Sequence, residues 1–137
     1  MKLERARWAL FLVFVTCPGL LAVTVIIPFA QGLVSSDSVI NVLTKVLAIY
    51  AVQLAIITGG IFGQGTLKPG AVAPGIAFWT AVVLAAIWNL ALLWRFIFFA
   101  IASEDTVERL VKYVDEVSPA SSFLVAGALA YFFSKPD

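Results

Sequence analysis

The sequence predicts an all-α fold: a polytopic membrane protein of four transmembrane helices, with a short amphipathic helix between the third and fourth. Two observations carry this. Four long apolar stretches fill most of the 137 residues, and too few polar side chains remain to cover a surface facing water. Hydrophobic residues make up 62% of the chain and charged residues 12%, with mean hydropathy +1.03. Soluble globular chains run near 45–50% and 25%. Lipid removes the need for a polar exterior, so the whole chain reads as one transmembrane domain, 1–137.

The spans fall at about 8–33, 39–63, 73–102 and 119–133. A crossing helix needs roughly 20 apolar residues. The first three stretches meet this. The fourth is about 22 Å long at about 1.5 Å per residue and must borrow length from its flanks or thin the bilayer. Hydrocarbon offers no hydrogen-bond partners, so each span is a helix or part of a closed barrel. Barrel strands alternate in polarity over about ten residues; these stretches are longer and apolar on all sides, which selects helix. Between the third and fourth, Val107, Leu110, Val111, Val114 and Val117 recur at helical spacing among charged residues. That pattern predicts an amphipathic helix over 103–118, lying on the membrane surface or continuing the third span, with Asp105 and Glu108 capping its start. Lys2, Arg5 and Arg7 before an apolar run resemble a signal peptide, but Phe14-Val15-Thr16 before Cys17 is a poor lipoprotein cleavage match, so the first segment is read as a span.

Basic residues set topology through short loops. With the N-terminus inside, Lys2, Arg5, Arg7, Lys68 and Lys135 lie inside and only Arg109 and Lys112 outside. Five against two predicts both termini in the cytoplasm of a plasma or bacterial inner membrane. Trp8, Trp94, Tyr113 and Tyr131 fall near the predicted boundaries, where aromatic anchors sit.

Membrane helices pack through small residues. Ala51, Ala55, Gly59 and Gly63 form such a ridge on the second span, and Ala77, Ala81 and Ala85 on the third. Ser122, Ala126 and Ala130 repeat the spacing on the fourth. The ridges predict bundle packing or a tight oligomer. Pro18 and Gly19, mid-span in the first helix, predict a bend that fits the bundle or a hinge.

Lys45 and Arg95 stand inside the second and third spans, each roughly 10 Å below the outer boundary at about 1.5 Å per residue. Three readings apply to them: snorkelling to the interface, an ion pair with an outer-loop acid (Asp37, Glu104 or Asp105), or a polar cavity or pore that favours anions. Gln53 and Asn89 join them as pore or cavity candidates, although interhelical hydrogen bonding is the blander role for both. No Asp or Glu falls within the four predicted spans. That argues against proton-coupled export of the small four-helix multidrug type.

No histidine is present and Cys17 is the lone cysteine. No catalytic residues, metal site or cofactor are therefore expected, and the net charge of +1 points to no nucleic-acid partner. Two functional readings remain. In the first, the chain homo-oligomerises in the bilayer and forms an ion-conducting pore between copies, since four helices enclose too little space for one. In the second, it is a non-catalytic membrane subunit or sensor that assembles with a partner protein.

Overall fold

A computed structural model of the chain describes residues 3–62, 75–102 and 105–134. They form four helices: α1 (Leu3–Ala30), α2 (Ser36–Phe62), α3 (Gly75–Ile101) and α4 (Val107–Ser134). Gly63 of the predicted ridge lies outside the described residues. The helices hold 28, 27, 27 and 28 residues, about 40–42 Å each at about 1.5 Å per residue. Each is long and apolar enough to cross a membrane.

Local signals set the helix ends. α1 closes with a Schellman motif: Gly32 takes φ +74°, its N–H donates to the Phe29 carbonyl at 2.9 Å and Leu33 N–H donates to Pro28 at 3.0 Å. Ser35 caps α2, its Oγ accepting from Ser38 N–H at 3.3 Å. Thr106, rather than the expected Asp105, caps α4 by accepting from Arg109 N–H at 3.3 Å. The Asp105 carboxylate is engaged elsewhere, by Arg95. α1 runs through Pro18 and Gly19 as one helix, and a Cβ on Gly19 would meet nothing within 4 Å.

The predicted division of the last third of the chain is corrected. No separate amphipathic helix precedes a short fourth span; 107–134 is one helix that passes through Pro119. The reason lies in its buried stripe. Leu110, Val114, Ser118, Ser122, Val125 and Leu129 follow one another at steps of three and four without a break at the proline. The apolar side of the charged half therefore packs on the bundle instead of lying flat on lipid.

The helices run up, down, up, down. α1 contacts α2 and α3, and α4 contacts the same two, so α1 and α4 stand on one diagonal and α2 and α3 on the other. At the middle, Phe14 stacks on Trp88 with ring centroids 6.1 Å apart, and Tyr50 meets Trp88 at 4.8 Å. The outward face of α3 is bulky and apolar, including Ile76, Trp79, Ile87, Leu90, Trp94 and Ile101. Gln53, Asn89, Ser118 and Ser122 are buried within a largely apolar core. Bulky apolar side chains outside and a few polar ones buried inside suit a bundle solvated by hydrocarbon.

Small residues divide between the two surfaces. Ala77, Ala81 and Ala85 are buried in the bundle, whereas Ala51, Ala55 and Gly59 face outward. The glycine that brings α2 close to α4 is Gly60, whose added Cβ would collide with the Phe133 side chain. A Gly60→Ala substitution is expected to cost about 1–3 kcal/mol through overpacking. Gly59→Ala, with nothing within 4 Å of its Cβ, is expected to be neutral or to gain up to about 1 kcal/mol in helix propensity. Reversible unfolding in mixed detergent micelles checks the contrast, and equal effects at the two positions would contradict it.

Candidate functional site: a polar interior flanked by ion pairs

Hydrocarbon makes an unmatched polar group costly, so the polar side chains of the four helices are the ones whose partners must be found within the bundle. α2 supplies two of them one turn apart. Tyr50 is fully buried, and its hydroxyl donates to Asn89 Oδ1 on α3 at 2.5 Å. Asn89 passes the interaction on, donating from Nδ2 to the Ala85 carbonyl at 2.8 Å. Gln53, also fully buried, donates from Nε2 to Ser122 Oγ on α4 at 2.5 Å and more weakly to the Ser122 carbonyl at 3.4 Å. One α2 turn thus ties together three helices. Interhelical bonds of this kind average about 0.6 kcal/mol in membranes, with the best near 1.7.

This layer is not fully satisfied. Gln53 Oε1, Trp88 Nε1 and Ser118 Oγ are buried with no hydrogen-bond partner. An orphaned buried group costs about 1–3 kcal/mol, and Trp88 and Ser118 line the same recess between α3 and α4.

Both embedded cations meet a carboxylate near the end of the bundle where α2 and α4 begin. Lys45 Nζ lies 2.6 Å from Asp115 Oδ2 and 2.7 Å from Oδ1, joining α2 to α4. Arg95 forms a two-pronged pair with Asp105, just before α4, through Nη1–Oδ2 and Nη2–Oδ1. The fork geometry of guanidinium and carboxylate favours such a pair. The Asp105 side chain is only 5% exposed, so its charge depends on Arg95 for compensation. Of the expected acids, Asp105 takes the role; Asp37 forms no ion pair among the described residues, and Glu104 lies outside them. Asp115 was not anticipated; as α4 is continuous, it falls inside the fourth helix long and apolar enough to cross a membrane, which corrects the expectation that the fourth segment holds no acid.

Gln53 and Asn89 lie in the bundle interior, and Lys45 and Arg95 form separate ion pairs toward one end. Arg7 is a further residue that sequence reasoning passed over. Counted only among the basic residues that set topology, it is buried on α1, its guanidinium carbon 5.6 Å from the Phe133 ring centroid. Tyr50, Ser118 and Asp115 were missed as well. The stripe through 110–122 was the available signal for Ser118; nothing local marked Asp115.

Removing one member of the α2–α4 pair strands the other charge near hydrocarbon. Lys45→Ala is expected to destabilise the bundle by about 1–3 kcal/mol, because insertion costs fall toward the interface. The Lys45→Ala/Asp115→Ala double variant is expected to recover most of that loss. A double-mutant cycle by unfolding in micelles reads the coupling, and strictly additive losses would deny the pair.

Compared with protein-family models, with curated proteins and with solved structures, the chain matches none.

Proposed function

We propose that this chain is a non-catalytic membrane protein that works by lateral assembly, self-associating through the outward face of α2. The observation that carries the reading is the composition of that face. Asn41, Thr44, Ala48, Ala51 and Ala55 are all exposed and follow one another at alternating steps of three and four. That 3.5-residue period is the seam of a left-handed helix pair. Small residues let two backbones approach closely in lipid.

Two further features support it. Neither the Asn41 nor the Thr44 side chain has a hydrogen-bond partner among the described residues, whereas Thr16, Thr24 and Thr58 each bond to a carbonyl of the preceding turn. An amide both donates and accepts, so Asn41 can pair with its own copy across a two-fold axis. The outward face of α3 offers bulky apolar side chains suited to lipid tails. We place both termini in the cytoplasm of a plasma or bacterial inner membrane, following the five-to-two basic bias.

A conducting path, if assembly creates one, lies between copies, because the middle of one bundle is filled by Phe14, Tyr50 and Trp88. The pore reading loses the support that two bare cations would lend it: Lys45 and Arg95 each sit against a carboxylate. The partner-subunit reading uses the same α2 seam with a foreign helix in place of a second copy.

Single cysteines at Ala48, Ala51 and Ala55, in a Cys17→Ala background in proteoliposomes, test the assembly. Oxidative cross-linking is expected to give dimers strongly at these positions and weakly at Val83 and Ile87 on α3. Ala51→Leu combined with Ala55→Leu is expected to shift the equilibrium to monomer without loss of helicity. Dimers formed equally from both faces, or from neither, would contradict self-association through this seam.

A further inference from the structure

We propose that the cleft between α1 and α3 holds the acyl chains of a phospholipid with a net negative charge, whose phosphate is taken by Arg5. The cleft measures about 530 Å³ and its wall is almost wholly apolar. That volume falls among ligand pockets, about 300–1,000 Å³. Buried Leu10 and Ala85 form its floor. The exposed lips carry small residues, Ala9 on α1 and Gly75 and Ala86 on α3. With so little side chain there, the gap between the two helices stays open to the surrounding lipid.

Dimensions select the occupant. Gly75 and Ala86 are eleven residues apart on α3, about 16 Å at about 1.5 Å per residue. Gly75 opens the helix, so the cleft runs from one end of the bundle to near its middle. One leaflet of a core near 30 Å thick is about 15 Å deep, close to the length of the cleft. Spread over that length, the volume averages about 33 Å² in section. A helix about 10 Å across needs about 80 Å². A helix of a second copy or of a partner therefore does not enter, whereas flexible chains do.

Charge at the mouth selects the headgroup. Arg5 stands four residues before Ala9, in the first turn of α1 and on the side of the helix that carries Ala9. Helical side chains lean toward the N-terminus. Arg5 thus reaches away from the cleft, to the level where phosphates lie above their chains. It is exposed and forms no ion pair among the described residues, in contrast with Lys45 and Arg95. Its guanidinium fork matches two phosphate oxygens. A choline headgroup would set a second cation beside Arg5, whereas phosphatidylglycerol brings the phosphate charge alone.

Native mass spectrometry tests this, with the protein released from micelles that hold equal amounts of phosphatidylglycerol and phosphatidylcholine of the same chains. One retained lipid per chain is expected, with phosphatidylglycerol favoured roughly 3- to 6-fold, the effect of one basic residue at an anionic surface. Arg5→Ala is expected to remove the preference. Arg109→Ala, an exposed basic residue at the opposite end of the bundle, is expected to leave it. Ala9→Leu combined with Ala86→Leu narrows the cleft from both lips at exposed positions and is expected to lower retention of both lipids. Equal retention by the unaltered protein, a preference that survives Arg5→Ala, or retention indifferent to the two leucines would overturn the proposal. So would release of the lipid by glycerol phosphate alone, since charge would then hold it without the cleft. Loss of dimers in the Ala9→Leu/Ala86→Leu variant would give the cleft to a second copy and overturn it as well. Loss of dimers only on Ala51→Leu/Ala55→Leu, with lipid retention unchanged, supports the lipid site as separate from the α2 seam.

Discussion

A polar group in hydrocarbon must find its partner within the protein, and the rest of this structure depends on that requirement. Lys45 and Arg95 could not stay deep in two crossing helices without compensation. The compensation comes from the chain around the start of α4, through Asp115 and Asp105. Val107–Val117 is therefore committed to the bundle. Its charged half adds length to the crossing segment and turns Leu110 and Val114 inward. A segment that would lie on the membrane if judged alone becomes the first half of α4, its buried stripe packed on the bundle and its Asp115 paired with Lys45.

The same requirement orders the interior. Tyr50 and Gln53, one turn apart on α2, reach α3 and α4, and the aromatic contact of Phe14, Tyr50 and Trp88 brings in α1. Directional bonds of this kind fix which helix faces which. Greasy packing alone would leave helix rotation weakly specified, since lipid tails compete equally well for apolar faces. The interior holds these polar contacts within an apolar core. α2 shows Asn41, Thr44, Ala48, Ala51 and Ala55 outward along one face, beside Ile40, Leu47 and Val52.

Much of this is legible in the residues. Composition and run length identify four helices and place the first three closely, because an apolar run in lipid has no alternative to helix. The fourth is misread for a physical reason: Glu108, Lys112, Asp115 and Glu116 lower its apparent hydropathy, and their local sequence carries no sign that Lys45 waits seventy residues away. The spacing of Leu110, Val114, Ser118 and Ser122 does carry the continuity, for it keeps one helix face in register through Pro119. Small-residue ridges are visible by spacing, but spacing cannot tell inside from outside. Ala77, Ala81 and Ala85 are packed while Ala51, Ala55 and Gly59 are not, and it is Gly60 that meets Phe133. Lys45, Arg95, Gln53 and Asn89 stand out by their cost in lipid; which groups answer them is a tertiary property.

The account stands on α4 running as one continuous helix through Pro119 that delivers Asp115 to Lys45. Spin labels at Glu108 and Tyr131, both on its exposed side, measure this directly by pulsed dipolar spectroscopy in nanodiscs. Their backbone separation is expected to be about 34 Å, twenty-three residues at about 1.5 Å each. A surface helix turning at a right angle into a short span at Pro119 would bring them to about 24 Å by the same rise, and a distance there would contradict the account.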